Sequence, residues 1–279
     1  MTTAAPDSVE RDVDVALNED IGTGDASATL IPADARVTAS VVCREGANLC
    51  GRPWFDRVFA QLDPAVEIEW LVDEGEAAAA DSEVCRLDGP ARALLSGERT
   101  ALNFLQMLSG TATLARRYRE AVGDTEVRLL DTRKTIPGLR LAQKYAVRCG
   151  GCDNHRLGLY DCIMLKENHQ AAGNSALETL VARARATHPE LPLLVEVESL
   201  AQLDRVAALD IDRVLLDNFS HQTLQQAVQR HGATLELEAS GNINLDNVAA
   251  VATTGVHAIS IGELTKRVEP VDFSMRFVE

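Results

Sequence analysis

Long apolar runs are missing from this 279-residue chain. Stretches such as Leu193-Leu194-Val195 and Val214-Leu215-Leu216 are a few residues long, far short of the ~20 needed to cross a bilayer as a helix. Met1–Asp20 is acidic and polar and does not read as a secretory leader, so a cytoplasmic protein is expected. Cysteine is sparse, six in all, too few for a disulfide scaffold at this length and consistent with reduced thiols. Basic charge is also short: 27 Lys and Arg stand against 42 Asp and Glu, a formal net charge of −15. Such a chain is a poor partner for nucleic acid or an anionic membrane surface. Neither a G-x-G-x-x-G fingerprint nor a Walker A loop is present, which removes the usual nucleotide-binding folds. Internal repeats and low-complexity linkers are absent, Ala77–Ala80 being too short to count. What remains, 46% hydrophobic and 25% charged, is enough to bury a core, in one large α/β domain or two ordinary ones.

The scarce cations are not spread evenly. Eight lie between Val127 and His169, and three of the chain's four lysines (Lys134, Lys144, Lys166) are among them. Against four anions this segment carries +4 inside a strongly acidic protein. Such an island suits a small polyanion, although a charge run is as often a solvated helix face.

From Val127 onward, short Val/Leu/Ile-rich runs recur: Val127–Asp131, Cys162–Lys166, Leu193–Glu198, Arg213–Asp217, Leu235–Glu238 and His257–Ile261. They read as parallel strands buried on both faces. Between them Ser175–Thr187, Leu200–Leu209, Gln222–Arg230 and Leu245–Thr253 have helical spacing, with Asn242 or Asn244 as a cap for the last and Thr254-Gly255 as its end. Strand–helix alternation predicts βαβ units and a parallel sheet. Six or seven strand ends all carry polar signatures, which favours a barrel with one common mouth over an open sheet with one switch point. Before Ser109 the pattern changes. Arg36–Arg44 and Val66–Glu74 read as strands of an antiparallel sheet, Asp12–Leu17 as an amphipathic helix, and Ser96 as the N-cap of a buried helix through Leu108. Gly22–Ser27 (GTGDAS) lacks the ending of a phosphate loop and reads as a turn and helix cap.

Leu129–His169 is the most specific stretch: DTRKTIPGLR, then KYAV, GG-x-x-NHR-x-GL and LKENH. With Glu19–Asp25 (EDIGTGD), Ser96–Gly110 (SGERTALNFLQMLSG), VEVES, LLDN, EASGNI and SIGELT it resembles, in order along most of the chain, the quinolinate phosphoribosyltransferase family. The resemblance implies an incomplete TIM-like α/β barrel over residues 110–266. It also implies an N-terminal α+β open-faced sandwich over residues 1–109, with the tail 267–279 packing back on it. The implied reaction joins quinolinate to phosphoribosyl pyrophosphate and releases pyrophosphate and CO2, with Mg2+ and no organic cofactor. A homodimer with its active sites shared between subunits is implied, with a hexamer of dimers as a larger assembly.

By this resemblance Arg99, Arg133, His155, Arg156 and Lys166 form the dicarboxylate pocket, Arg99 reaching in from the partner subunit. Guanidinium suits the task because it grips a planar carboxylate through two charge-assisted hydrogen bonds. On spacing alone Arg99 reads as an exposed residue after the Ser96 cap. Arg133 and Lys134 follow a strand directly and can share a site only in a loop, which Pro137-Gly138 supports. Lys166 closes an apolar strand, a costly place for an ammonium unless an anion faces it. Arg140, Lys144 and Arg148 fall at i, i+4 and i+8 and read as a solvated or phosphate-attracting stripe. Thr132 and Lys134, with Ser240-Gly241-Asn242 and Ser260-Ile261-Gly262, are expected around the phosphates, as loops of late barrel strands often are. Glu196 and Asp217 are expected to hold ribose hydroxyls and Mg2+, for which hard oxygen ligands suit; with Lys166 they are the candidate catalytic set. One of these acids balancing Lys166 inside the barrel is the plainer reading. Cys149-Gly-Gly-Cys152 is weak as a metal or redox motif without a second pair. Two rival readings remain: a ModD-like paralogue beside molybdate transport, which the intact basic set disfavours, and a non-catalytic phosphate-binding barrel.

Overall fold

Successive residues of a strand face opposite sides, and Arg36–Cys43 (β1) buries every second side chain over its latter half, through Ala39, Val41 and Cys43. The computed structural model describes residues 4–173 and 175–278. In it β1 lies in a four-stranded antiparallel sheet of order β12-β1-β5-β3. The other strands are Glu67–Trp70 (β3), Ser82–Pro90 (β5) and Phe273–Phe277 (β12). The two strands expected from sequence belong to one sheet but are not neighbours; β5 runs between them, and the chain's last strand takes the far side of β1. A two-stranded ribbon, Ala47–Asn48 (β2) and Ala77–Ala78 (β4), stands beside it in sequence order.

Val9–Ile21 (α1), Arg52–Leu62 (α2), Ala91–Ala121 (α3) and Arg140–Cys149 (α4) are the helices that begin among residues 1–151. Their apolar faces and the sheet enclose Trp54, Phe55 and Phe59, which are fully buried. Trp54 stacks 6.4 Å from Phe104 and tilts 5.4 Å from Tyr145. Each such ring contributes ~1.5–3 kcal/mol through area removed from water. The buried Asp12 carboxylate accepts hydrogen bonds from Ser8 (3.0 Å), Trp54 Nε1 (3.2 Å) and Arg11 (2.7 Å), so its burial is compensated.

Ser96 is not an N-cap. The helix begins at Ala91, directly after Pro90, which cannot continue the β-ladder as a donor and suits a helix start. The Ser96 hydroxyl instead donates to Asp25 (2.8 Å). Asp25 also accepts the amides of Ser27 and Ala28, so GTGDAS does cap a short 3-10 turn, Ala28–Leu30. The basic stripe of α4 is likewise corrected: Lys144 is 1% exposed. Ala142, Tyr145, Ala146 and Val147 make most of this helix apolar and buried, and Lys144 is carried in with them.

The second set of elements is a parallel sheet of Arg128–Leu130 (β6), Ile163–Leu165 (β7), Leu193–Val197 (β8), Arg213–Asp217 (β9), Glu236–Ser240 (β10) and Ala258–Ser260 (β11). Its order is β6-β11-β10-β9-β8-β7. Strands consecutive in sequence are neighbours from β7 to β11, and the first strand pairs with the last. That cyclic order is a barrel's. A bridge between Leu130 and Asp153 adds a rudimentary strand beside β6, and no strand pairing joins it to β7 among the described residues. The expected strand positions match to within two residues. Glu167–Gly173 (α5), Leu177–Thr187 (α6), Leu200–Val206 (α7), His221–His231 (α8), Val248–Ala252 (α9) and Glu263–Lys266 (α10) complete the chain. Asn247, not Asn242 or Asn244, precedes α9; the Asn244 carboxamide makes an Asx turn onto the amides of Asp246 and Asn247. The two compact units are residues 1–116, 135–151 and 265–279, and residues 117–134 with 152–264. No helix of the described residues is long and apolar enough to cross a membrane.

Candidate active site

Parallel strands that end together turn their C-terminal residues toward one mouth. In the barrel unit β6 is followed by Thr132, Arg133 and Lys134, β7 by Lys166, β9 ends in Asp217, β10 in Ser240, and β11 is followed by Ile261 and Gly262. Glu196 is the penultimate residue of β8. Lys166 and Glu196, from neighbouring strands, form an ion pair. The lysine is 42% and the glutamate 17% exposed, so the pair sits at the rim rather than in the core. The Lys166 amide donates to His169 Nδ1 (3.0 Å), fixing the turn into α5.

Lys134 is exposed, and its aliphatic stem lies over Gly262: a Cβ there would stand 3.2 Å from Cδ and 3.4 Å from Nζ of the lysine. The Lys134 amide donates to Thr132 Oγ1 (3.2 Å), which shapes the loop after β6. Ser260 and Ile261 are placed differently from expectation. Both are buried, and the Ile261 amide is used on the Leu130 carbonyl (2.8 Å), so Gly262 is what this peptide offers the mouth. Around the end of β9, Asn218 Nδ2 donates to Asp217 (2.9 Å) and Asn242 Nδ2 donates to Asn218 Oδ1 (3.0 Å). Asn218, Gly241 and Asn242 all have positive φ (+55°, +92°, +52°). A Cβ on Gly241 would fall 2.2 Å from Asn218 Oδ1, so only glycine fits this two-loop junction.

Beneath the mouth, His155 and Arg156, expected in the dicarboxylate pocket, join Asp131, Arg213 and Glu238, which the sequence did not single out, in a polar cluster. Asp131 is fully buried and accepts the His155 amide (2.9 Å) and Asn154 Nδ2 (2.7 Å), holding the loop that carries His155. His155 Nδ1 accepts the Arg156 amide (2.7 Å). A neutral ring therefore keeps its proton on Nε2. That atom stands 3.4 Å from Glu238 Oε1, and Arg213 Nη1 donates to Glu238 Oε2 (3.0 Å). Burial raises the pKa of Glu238, but hydrogen bonds and charge from His155, Ser260 and Arg213 outweigh it and hold the carboxyl below its usual value. Arg156 donates to the Cys162 carbonyl (3.1 Å). The missed signal was position: Glu238 is a charge set between the buried Leu237 and Ala239, where only a paired group is tolerated.

Arg99 lies within α3 in the other compact unit, its side chain 58% exposed and 3.9 Å from Glu98. It is a mid-helix surface cation, not a first-turn residue.

A barrel with cations and carboxylates gathered at its strand ends defines a protein that handles small phosphorylated or carboxylated molecules. Comparisons with known proteins narrow this. Residues 25–109 match the N-terminal domain and residues 111–276 the C-terminal domain of quinolinate phosphoribosyl transferase. The chain is 40% identical over 266 residues to a probable nicotinate-nucleotide pyrophosphorylase [carboxylating] of Synechocystis sp., covering 94% of this chain and 90% of that one. It is 40% identical over 282 residues to the nicotinate-nucleotide pyrophosphorylase [carboxylating] of Mycobacterium leprae, covering 98% and 96%. The solved nicotinate-nucleotide pyrophosphorylase of Francisella tularensis superposes with a TM-score of 0.95 at 42% identity, over 99% of this chain and 98% of that one. The chain belongs to the quinolinate phosphoribosyltransferase family, enzymes of NAD biosynthesis.

Proposed function

We propose that this protein condenses quinolinate with phosphoribosyl pyrophosphate to give nicotinate mononucleotide, pyrophosphate and CO2. The observation that carries the reading is the strand-end constellation: Lys134 lying over Gly262, and Lys166 paired with Glu196 on the neighbouring strand. Quinolinate bears two adjacent carboxylates; Arg133, Arg156 and Lys166 are the groups to receive them, and His155, whose two ring nitrogens face the Arg156 amide and Glu238, positions their loop. Lys134, Gly241, Asn242 and Gly262 receive phosphate. Ser260 and Ile261 support that site from within the sheet. Without substrate the Lys166 ammonium is satisfied by Glu196. A substrate carboxylate arriving at Lys166 competes for it and releases Glu196 for the ribose hydroxyls.

In the first step the pyridine nitrogen bonds to the anomeric carbon as the bond to pyrophosphate breaks. The protein's contribution is to hold the ring in line and to stabilise departing negative charge through Lys134 and the strand-end peptides. In the second step the bond from the ring carbon beside the nitrogen to its carboxylate breaks, CO2 leaves, and the carbanion, stabilised by the adjacent positive nitrogen, takes a proton. Lys166 or a water held beside it supplies that proton. The donor set fits Mg2+: Glu196 and Asp217 offer hard carboxylate oxygens from adjacent strands. When bound, Mg2+ would neutralise pyrophosphate charge.

The working form is a cytoplasmic homodimer in which Arg99 of one subunit completes the pocket of the other. Its exposed position on α3 suits that role. Leu159 and Tyr160, 71% and 70% exposed after Arg156, suit coverage by a second copy. The test is turnover with quinolinate, phosphoribosyl pyrophosphate and Mg2+, read as nicotinate mononucleotide and CO2, together with calorimetric titration of quinolinate. Lys166→Ala and Arg133→Ala should each lower kcat/KM by about a thousandfold or more with unchanged circular dichroism, since each removes a charged contact to the reacting ring. Absence of quinolinate binding, or wild-type rates in both variants, would remove the assignment.

A further inference from the structure

Three chain segments far apart in sequence meet in the first compact unit, and each brings one acidic ligand. Cys50 immediately precedes the glycine that starts α2, Glu74 sits in the turn between β3 and β4, and Cys149 is the last residue of α4. Their Sγ, carboxylate oxygen and Sγ atoms all lie within 4.8 Å of one another, the one grouping of three such ligands among the described residues. The sequence reading sought a partner for Cys149 in Cys152; the fold supplies Cys50 and Glu74.

Each position is fixed by its backbone. The Cys50 amide donates to Ser109 Oγ (2.9 Å), and the same hydroxyl donates back to the Cys50 carbonyl (3.1 Å). Glu74 accepts the amides of Gly51 (2.8 Å) through one oxygen and Arg52 (3.2 Å) through the other. The Cys50 thiol and the Tyr145 phenol also reach this carboxylate, and a cation would take the place of the thiol proton there. Gly75 presses its backbone onto Cys149, where an added Cβ would lie 3.2 Å from the Cys149 carbonyl. Cys50 is fully buried, while Cys149 and Glu74 are partly exposed, which leaves a route in from solvent.

We propose that Cys50, Glu74 and Cys149 form a site for a borderline-soft divalent cation, Zn2+ being the natural occupant. Thiolate sulfur and carboxylate oxygen are both zinc ligands, and a tetrahedral ion with ~2.3 Å bonds to sulfur holds its two sulfurs roughly 3.8 Å apart, inside the 4.8 Å spread of the existing cluster. Binding replaces two thiol protons: Zn2+ and two neutral thiols with one carboxylate give a complex of net charge −1 and two released protons. The fourth position faces water or the neighbouring Tyr145 phenol, whose pKa burial and then Glu74 push up. Burial likewise raises the Cys50 thiol, with Cys149 and Glu74 adding to it, as three acidic groups are crowded together here. A disulfide between the two cysteines would leave Glu74 only its hydrogen bonds at the start of α2, whereas a cation engages all three groups. The site crosslinks the start of α2, the Asp73–Gly75 turn and the end of α4. It is remote in chemistry from the Mg2+ expected with substrate and does not depend on the proposed reaction.

The test uses the full chain, freed of metal with a chelator under reducing conditions. Titration with Zn2+ should give one ion per chain and raise the thermal midpoint by about 5–10 °C at a hundredfold excess over Kd. Cd2+ should give the ultraviolet charge-transfer band of two thiolates, and Mg2+ should compete with neither. Cys149→Ser should weaken Zn2+ by roughly a hundredfold and Glu74→Gln by roughly tenfold, with Cys162→Ala unchanged. Cys149 is partly exposed, so its variant keeps the fold even if Cys50→Ser does not. No thiolate band with Cd2+, or full uptake of Zn2+ by Cys149→Ser, would overturn the proposal. So would a protein whose two thiols oxidise to a Cys50–Cys149 disulfide while stoichiometric zinc is refused.

Discussion

Replacing Glu238 by glutamine tests the buried cluster under the mouth. The carboxylate is fully buried, accepts a hydrogen bond from Arg213 Nη1 at 3.0 Å and faces His155 Nε2 at 3.4 Å. Glutamine has one carbonyl for those two groups and turns an NH2 toward the other. Each charge-assisted hydrogen bond is worth ~1.5–3 kcal/mol, and breaking a buried pair outright costs ~3–5 kcal/mol. Arg213 keeps Glu236 at 2.9 Å, so the full penalty is not reached. We expect a loss of about 2–3 kcal/mol at neutral pH, roughly 4–12 °C in thermal midpoint for a unit of this size. The pH dependence has a definite sign. A folded-state pKa held below the usual carboxylate value contributes stability that is present above the unfolded pKa and is lost as pH falls through the folded one. Glu238→Gln resembles the protonated state, so urea midpoints of wild type and variant should differ fully at about pH 7 and still at about pH 5, then converge in more acid solution. A difference independent of pH, or none at pH 7, would refute the reasoning. The same variant should raise KM for the pyridine substrate more than it lowers kcat, because His155 loses its anchor and not its chemistry.

The shared-site proposal predicts complementation: Arg99→Ala and Lys166→Ala subunits, each inactive alone, should recover about a quarter of wild-type activity when mixed as dimers, because half the dimers then hold one intact site of two. Activity that stays at the single-variant level after subunit exchange would exclude sharing. Gly241→Ala places a Cβ 2.2 Å from Asn218 Oδ1 at φ +92°, so the chain should fold but bind phosphoribosyl pyrophosphate roughly tenfold or more weakly, read as KM.

Strand positions in the barrel were legible because a strand buried on both faces must be apolar along its length, and such runs stand out between helices with a 3.6-residue period. The same contrast exposed Lys166, a charge closing an apolar run. The family motifs of Leu129–His169 marked Arg133, Lys134, His155, Arg156 and Lys166 as candidates from chain order alone. β5 and β12 were not legible: Ser82–Pro90 mixes apolar and charged residues, and Phe273–Phe277 is a strand only because β1 offers it an edge. Ser96 looked like a cap since hydroxyls favour helix starts, yet Asp25 claimed it from 71 residues away.

Composition, apolar period and motif order thus specified an α/β chain with a cationic strand-end site, because these are local properties that each segment carries wherever it packs. Pairing belongs to the fold. Lys166 with Glu196, His155 and Arg213 around Glu238, and Cys50 with Glu74 and Cys149 each join residues at least 24 positions apart. The energy of a buried charge or thiol depends on what faces it across that separation, which no local pattern encodes.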